Sequence, residues 1–191
     1  MVESSSDNIT FHDYIKKRTR EDLLSCLKTF GRIQEARVEE DLNTDLVAGH
    51  WLSVIVIQGE ACRIVLKVQS ESKAISRLFA HTMRMKIEQV SSQQVKDFLR
   101  EVCNLAAGQI KKGLANCNLD TGISLPLATR GFDNLFFKTS TTPETIEDRW
   151  KIIWGDGEIR CYSSIDILSR SELRAFQYRE DMPEDNLFEE L

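Results

Sequence analysis

The sequence predicts an α+β domain, an antiparallel β-sheet with helices packed on one face. Three observations lead there. Apolar residues alternate along short segments joined by tight turns, they recur at helical spacing in other segments, and the blocks run helix, strands, helix, long helix, strands. With 191 residues, 41% hydrophobic and 29% charged, the chain is long enough for one substantial core. The expected division is a disordered leader over 1–8, a single domain over 9–168, and a short helix with an acidic tail over 169–191.

Phe11, Tyr14, Ile15, Leu23, Leu24, Leu27 and Phe30 predict a first helix that ends at Gly31, with a break near Thr19. A strand around Ile33 to Val38 and a loop are expected next. Trp51 to Ile57 is a β-branched run, Gly59-Glu60 a turn, and Cys62 to Val68 an alternating run, which together predict a hairpin. Ser72, Ala74, Ile75, Leu78, Phe79 and Thr82 have helical spacing. The longest helical pattern starts near Ser92, with Ser91 and Gln94 placed as a capping box.

Asn118 can take the left-handed conformation that closes that helix, and Pro126 makes Leu119 to Leu127 extended or edge structure. Strands are expected over Leu135 to Thr139, Arg149 to Trp154 and Ile159 to Ile165, with Gly155-Asp-Gly157 as a hairpin turn. That turn lacks the other oxygen ligands of a calcium loop. Ser169 and Glu172 form a second capping-box pattern, opening a helix through Tyr178.

Composition excludes several classes of function. Cys26, Cys62, Cys103, Cys117 and Cys161 are odd in number, scattered and never paired as Cys-x-x-Cys, and no histidine stands at ligand spacing from one, so free thiols and no metal are expected. Six acids and no base over 180–191 leave 25 basic and 24 acidic residues in the body, which argues against a general nucleic-acid binder. The cluster Lys16-Lys17-Arg18-Thr19-Arg20 is expected to be a solvated helix face. No apolar run reaches the roughly 20 residues of a membrane span, and the start lacks signal-peptide features, so the expected location is cytoplasmic. No P-loop, Gly-x-Ser-x-Gly elbow or His-rich box is present, and Cys103 falls near an apolar helix face, where a thiol is inert.

The functional clue lies in the long helix. At about 100° per residue, Val95, Phe98, Leu99, Val102, Cys103, Leu105, Ala106, Ile110 and Leu114 share one broad apolar face, while Asp97, Arg100, Glu101, Asn104, Gly108 and Lys111 gather opposite. A carboxylate, an amide and a bare glycine are displayed together toward water.

The spacing Glu101-x-x-Asn104-x-x-x-Gly108-x-x-Lys111 follows a hairpin and a helix and precedes Leu-Pro126-x-x-x-x-Gly131. From about Trp51 to Ile167 this pattern resembles the CheC/CheX family of chemotaxis phosphatases, and the CheX branch more than the CheC branch. The resemblance implies hydrolysis of the aspartyl phosphate of a phosphorylated CheY-type response regulator. Asn104 would position the attacking water, and Glu101 would pair with the regulator's active-site lysine. It implies no intrinsic cofactor, with Mg2+ held at the partner's site, and it raises the expectation of a homodimer through a sheet edge.

The residue types suit those roles. A carboxamide both donates and accepts hydrogen bonds without bringing negative charge to a phosphoryl group, and phosphoryl transfer depends mostly on positioning and charge neutralisation. Gly108 clears space for a partner's backbone. Lys111 reads as surface charge. CheC-branch relatives carry a second acid-and-Asn helix, whereas the first helix here reads Arg20-Glu-Asp-Leu-Leu-Ser25. Two alternatives stay open: a non-catalytic CheC/FliM-like module that binds signalling or flagellar-switch proteins, and a bland reading in which Glu101 is solvated charge and Gly108 a close-packing site.

Overall fold

The computed structural model describes residues 9–41, 50–130, 145–155 and 157–178. The expected strand Leu135 to Thr139, its following loop and Gly131 lie outside those residues. The elements are α1 (Phe11–Thr29), β1 (Arg37–Glu40), β2 (Trp51–Gly59), β3 (Cys62–Ser70), α2 (Ser72–Thr82), α3 (Ser92–Asn116), β4 (Thr121–Ile123), β5 (Leu127–Arg130), β6 (Thr145–Trp154), β7 (Gly157–Ile167) and α4 (Arg170–Leu173). The strands form one antiparallel sheet in the order β1-β6-β7-β3-β2-β4, with β5 also paired to β2.

Alternation along the strands fixes which face meets the helices. Ile55 and Ile57 of β2, Ile64, Leu66 and Val68 of β3, Trp150 and Ile152 of β6, and Ile159, Cys161 and Ile165 of β7 share a core with α1, α2 and α3. Leu52, Val54 and Val65 point the other way into a small separate cluster. The expected architecture, helices on one face of an antiparallel sheet, is the one observed. Among the described residues no helix is long and apolar enough to cross a membrane.

Four expectations shift. First, α1 runs unbroken through Thr19, which is fully buried and whose hydroxyl donates to the Lys16 carbonyl at 3.1 Å, so the polar side chain is satisfied within the helix. Second, the strand expected at Ile33 to Val38 forms later, as β1, because Arg32 takes φ 56° and Ile33 turns in to pack on the core. Third, α4 stops at Leu173 rather than reaching Tyr178. Ser169 accepts from the Glu172 amide at 3.3 Å, and beyond the helix Phe176 and Tyr178 pack on Phe11 and Tyr14 instead of continuing it.

The fourth concerns the basic cluster on α1: Lys17 is exposed as expected, but Arg18 and Arg20 are drawn into ion pairs. Arg18 pairs with Asp22 at 2.9 Å, and Arg20 bonds Asp148 through Nε at 2.9 Å and through Nη2 at 2.7 Å while also holding Glu40. Asp22 lies on the same helix, whereas Glu40 and Asp148 lie on β1 and β6, so Arg20 ties α1 to the sheet.

Candidate functional site

Helix α3 is set by its buried side. Ser91 caps it, accepting from the Gln94 amide at 3.3 Å while the Gln94 side chain accepts from the Ser91 amide at 2.9 Å, the reciprocal box expected from the sequence. Val95, Phe98, Leu99, Val102, Cys103, Ala106, Ala107, Ile110, Gly113 and Leu114 are buried. Burying one large apolar side chain is worth about 1.5–3 kcal/mol, so this stripe alone decides which residues face water. At the far end Asn118 takes φ 63°, the left-handed close anticipated for it.

Glu101, Asn104 and Gly108 accordingly stand exposed on one side of α3. Glu101 and Asn104 are three residues apart, so their side chains are neighbours on the helix surface. Neither has a hydrogen-bond or ion-pair partner among the described residues. Gly108 follows Asn104 by one turn. A Cβ built there meets nothing within 4 Å, whereas one built at Gly113 on the same helix comes within 2.8 Å of the Tyr14 hydroxyl. Gly113 is therefore the close-packing glycine, and Gly108 has no packing reason to lack a side chain.

The surroundings are ordered. Gln93 Nε2 donates to both carboxylate oxygens of Asp97 at 2.9 Å, and Asp97 lies 3.6 Å from the Arg100 guanidinium. Arg100 Nε in turn donates to the Pro126 carbonyl at 3.1 Å, tying α3 to the segment between β4 and β5. This latch was not expected from the sequence. Its only signal was Arg100 standing four residues before Asn104, since the partner carbonyl is 26 residues away in the chain.

The arrangement presents a carboxylate and an amide with full hydrogen-bonding capacity on a rigid surface, and water or another protein must complete it. A cleft lined by His50, Gln69, Glu71, Glu158 and Arg160 lies elsewhere, between the β6–β7 turn and the start of α2, and shares no residue with this face. Among the described residues no three His, Cys, Asp or Glu side chains come together as metal ligands. Cys103 is fully buried, and burial pushes its thiol up to about 12, so it is protonated at neutral pH and cannot act as a nucleophile.

No protein-family model and no curated protein sequence matches the chain. Solved structures do. The chemotaxis protein CheX from Vibrio vulnificus superposes with a TM-score of 0.63 at 15% identity, over 80% of this chain and 96% of that one. The chain has the CheC/CheX fold. CheX in the CheX–CheY–BeF3–Mg2+ complex from Borrelia burgdorferi gives a TM-score of 0.62 at 13% identity, covering 80% and 97% of the two chains. The structure of the FliM–SpeE complex from H. pylori gives 0.55 at 10% identity over 86% and 91%.

Proposed function

We propose that the chain is a phosphatase that hydrolyses the aspartyl phosphate of a CheY-type response regulator. One observation carries this reading: Glu101 and Asn104 stand exposed and, among the described residues, unengaged on neighbouring positions of α3, while ionic side chains such as Arg20, Asp22 and Asp148 are tied into the fold. The CheC/CheX fold supports it, and so does the complex of the B. burgdorferi CheX with CheY, beryllofluoride and magnesium.

In this reading α3 lies against the regulator beside its phosphoryl group. The Asn104 carboxamide accepts a hydrogen bond from a water and aligns it with phosphorus, adding no negative charge to an electrophile that already carries several. Glu101 pairs with the regulator's active-site lysine and fixes the helix register. The regulator supplies the Mg2+ that neutralises charge on the phosphoryl oxygens. Gly108 lets the partner's backbone approach the helix closely.

The test is the decay of regulator phosphate with and without the protein. Wild type should accelerate it. Asn104→Ala should remove the acceleration while keeping most of the binding, and Glu101→Ala should weaken both, with unchanged melting temperatures. Equal decay with wild type and Asn104→Ala would contradict the assignment.

A second reading, a non-catalytic FliM-like module, is favoured by α1, which presents no acid-and-Asn pair of its own. It predicts regulator binding without phosphate loss.

A further inference from the structure

The polar face of α3 is poorly suited to hold a partner by itself. An exposed ion pair such as the one assigned to Glu101 contributes about 0–1 kcal/mol, and specific interfaces draw their affinity from a few apolar or aromatic anchors. Such an anchor stands beside the site. Among the described residues Leu125 is 88% exposed, the most exposed large hydrophobic side chain, and Leu127, two residues on, is 48% exposed. Between them lies Pro126, whose carbonyl accepts from Arg100.

This turn is rigid as well as apolar. The Ser124 amide donates to the Val56 carbonyl at 2.8 Å, and the Val56 amide donates to the Ser124 hydroxyl at 3.0 Å. Leu127 then pairs with Val54 as β5 begins. Proline fixes its own φ and restricts the residue before it, which is Leu125. An exposed leucine is thus clamped at both ends and latched to the helix that carries Glu101 and Asn104, so little ordering cost remains to be met on binding.

We propose that the Leu125-Pro126-Leu127 turn is the apolar anchor by which the phosphorylated regulator docks on this chain. Leu125 enters a hydrophobic depression on the regulator next to its phosphoryl site, and Arg100 holds the turn at a fixed distance from Asn104. This rests on the phosphatase reading above. It adds that the turn supplies most of the affinity, with Glu101 and Gly108 setting the register and Asn104 the chemistry.

The experiment compares wild type with Leu125→Ala, Leu125→Asp, Asn104→Ala and the exposed control Leu168→Ala. It uses the CheY-type regulator of the source organism, charged with beryllofluoride for binding and with acetyl phosphate for turnover. Leu125→Ala should raise both Kd and KM about tenfold, with kcat within about twofold, from the loss of one partly buried leucine at the interface. Leu125→Asp should raise them further, and Leu168→Ala should match wild type. Asn104→Ala should show the reverse split, low kcat with near-normal Kd.

If Leu125→Asp binds and turns over as wild type does while Asn104→Ala is inactive, the anchor is wrong and the phosphatase reading stands. If Leu125→Asp instead turns a dimer into a monomer with regulator affinity unchanged, the turn serves a second copy of this chain, and the proposal is overturned. If wild type neither binds the regulator nor hastens its dephosphorylation, both readings fall.

Discussion

Helices α1 and α3 pack against each other over the same sheet, yet their polar faces differ in use. On α1 three charged residues are engaged: Arg18 with Asp22, and Arg20 with Asp148 and Glu40, with the Arg20 guanidinium 5.8 Å from the centre of the Trp150 ring. The Asp148 hydrogen bond, then that of Glu40, raises the Arg20 pKa further above its already high value. On α3 the corresponding face leaves Glu101 and Asn104 without partners among the described residues and Gly108 open. A place on the polar side of a helix thus does not by itself mean availability to a partner. A polar residue already bonded within the fold is fixed by stability, and one left unbonded on a rigid helix is open to selection for something outside the chain.

Substitutions can break this contrast. The largest effect is expected from Asn104→Ala, which should lower the rate of regulator dephosphorylation by about 100-fold or more, the scale seen when a transition-state positioning group is removed. Its thermal melt should move by no more than about 0.5 kcal/mol, as for other exposed positions. The converse variant, Arg20→Ala, should cost about 2–3 kcal/mol in a urea titration. That lies between an exposed and a buried pair, because Asp148 is 6% exposed but Arg20 is 24% exposed. Its kcat should stay at the wild-type value.

Gly108→Ala sharpens the comparison further, since stability and function should move in opposite directions. Alanine in an open helical position should stabilise by about 0.5–1 kcal/mol, yet the added methyl should weaken regulator binding several-fold. A stabilised variant with unchanged affinity would remove Gly108 from the interface. The smallest effect is expected at the cysteines. All five are free and buried, and burial pushes Cys26 and Cys103 up to about 12, so a chromogenic disulfide reagent at pH 8 should label them only after unfolding.

The candidate site was legible in the sequence because α3 obeys local rules. Its apolar stripe repeats at the helical period for most of its length, its start is announced by Ser91 and Gln94, and the water-facing set follows from those two facts. The β2–β3 hairpin was legible for the same reason: its side chains alternate and its turn is short. The rest depended on contacts distant in the chain. β1 forms where Arg37–Glu40 can pair with Trp150–Ile153, more than 100 residues on, and its own residues show no clear alternation. Arg20 read as solvated because Glu40 and Asp148 lie 20 and 128 residues away, whereas the Arg18–Asp22 pair, four residues apart on one helix, was open to sequence reasoning and was overlooked. The Arg100–Pro126 latch and the exposure of Leu125 were hidden likewise, since a leucine beside a proline reads as ordinary edge structure until the sheet places it next to α3.

In the phosphatase reading Glu101 and Asn104 on α3 perform chemistry rather than binding alone. The most direct measurement is the single-turnover decay of phosphorylated regulator with wild type and with Asn104→Ala, each at a concentration shown to saturate binding of the beryllofluoride-charged regulator. Rapid decay is expected with wild type and near-intrinsic decay with Asn104→Ala at equal occupancy. Equal decay rates for the two saturated complexes would contradict that reading.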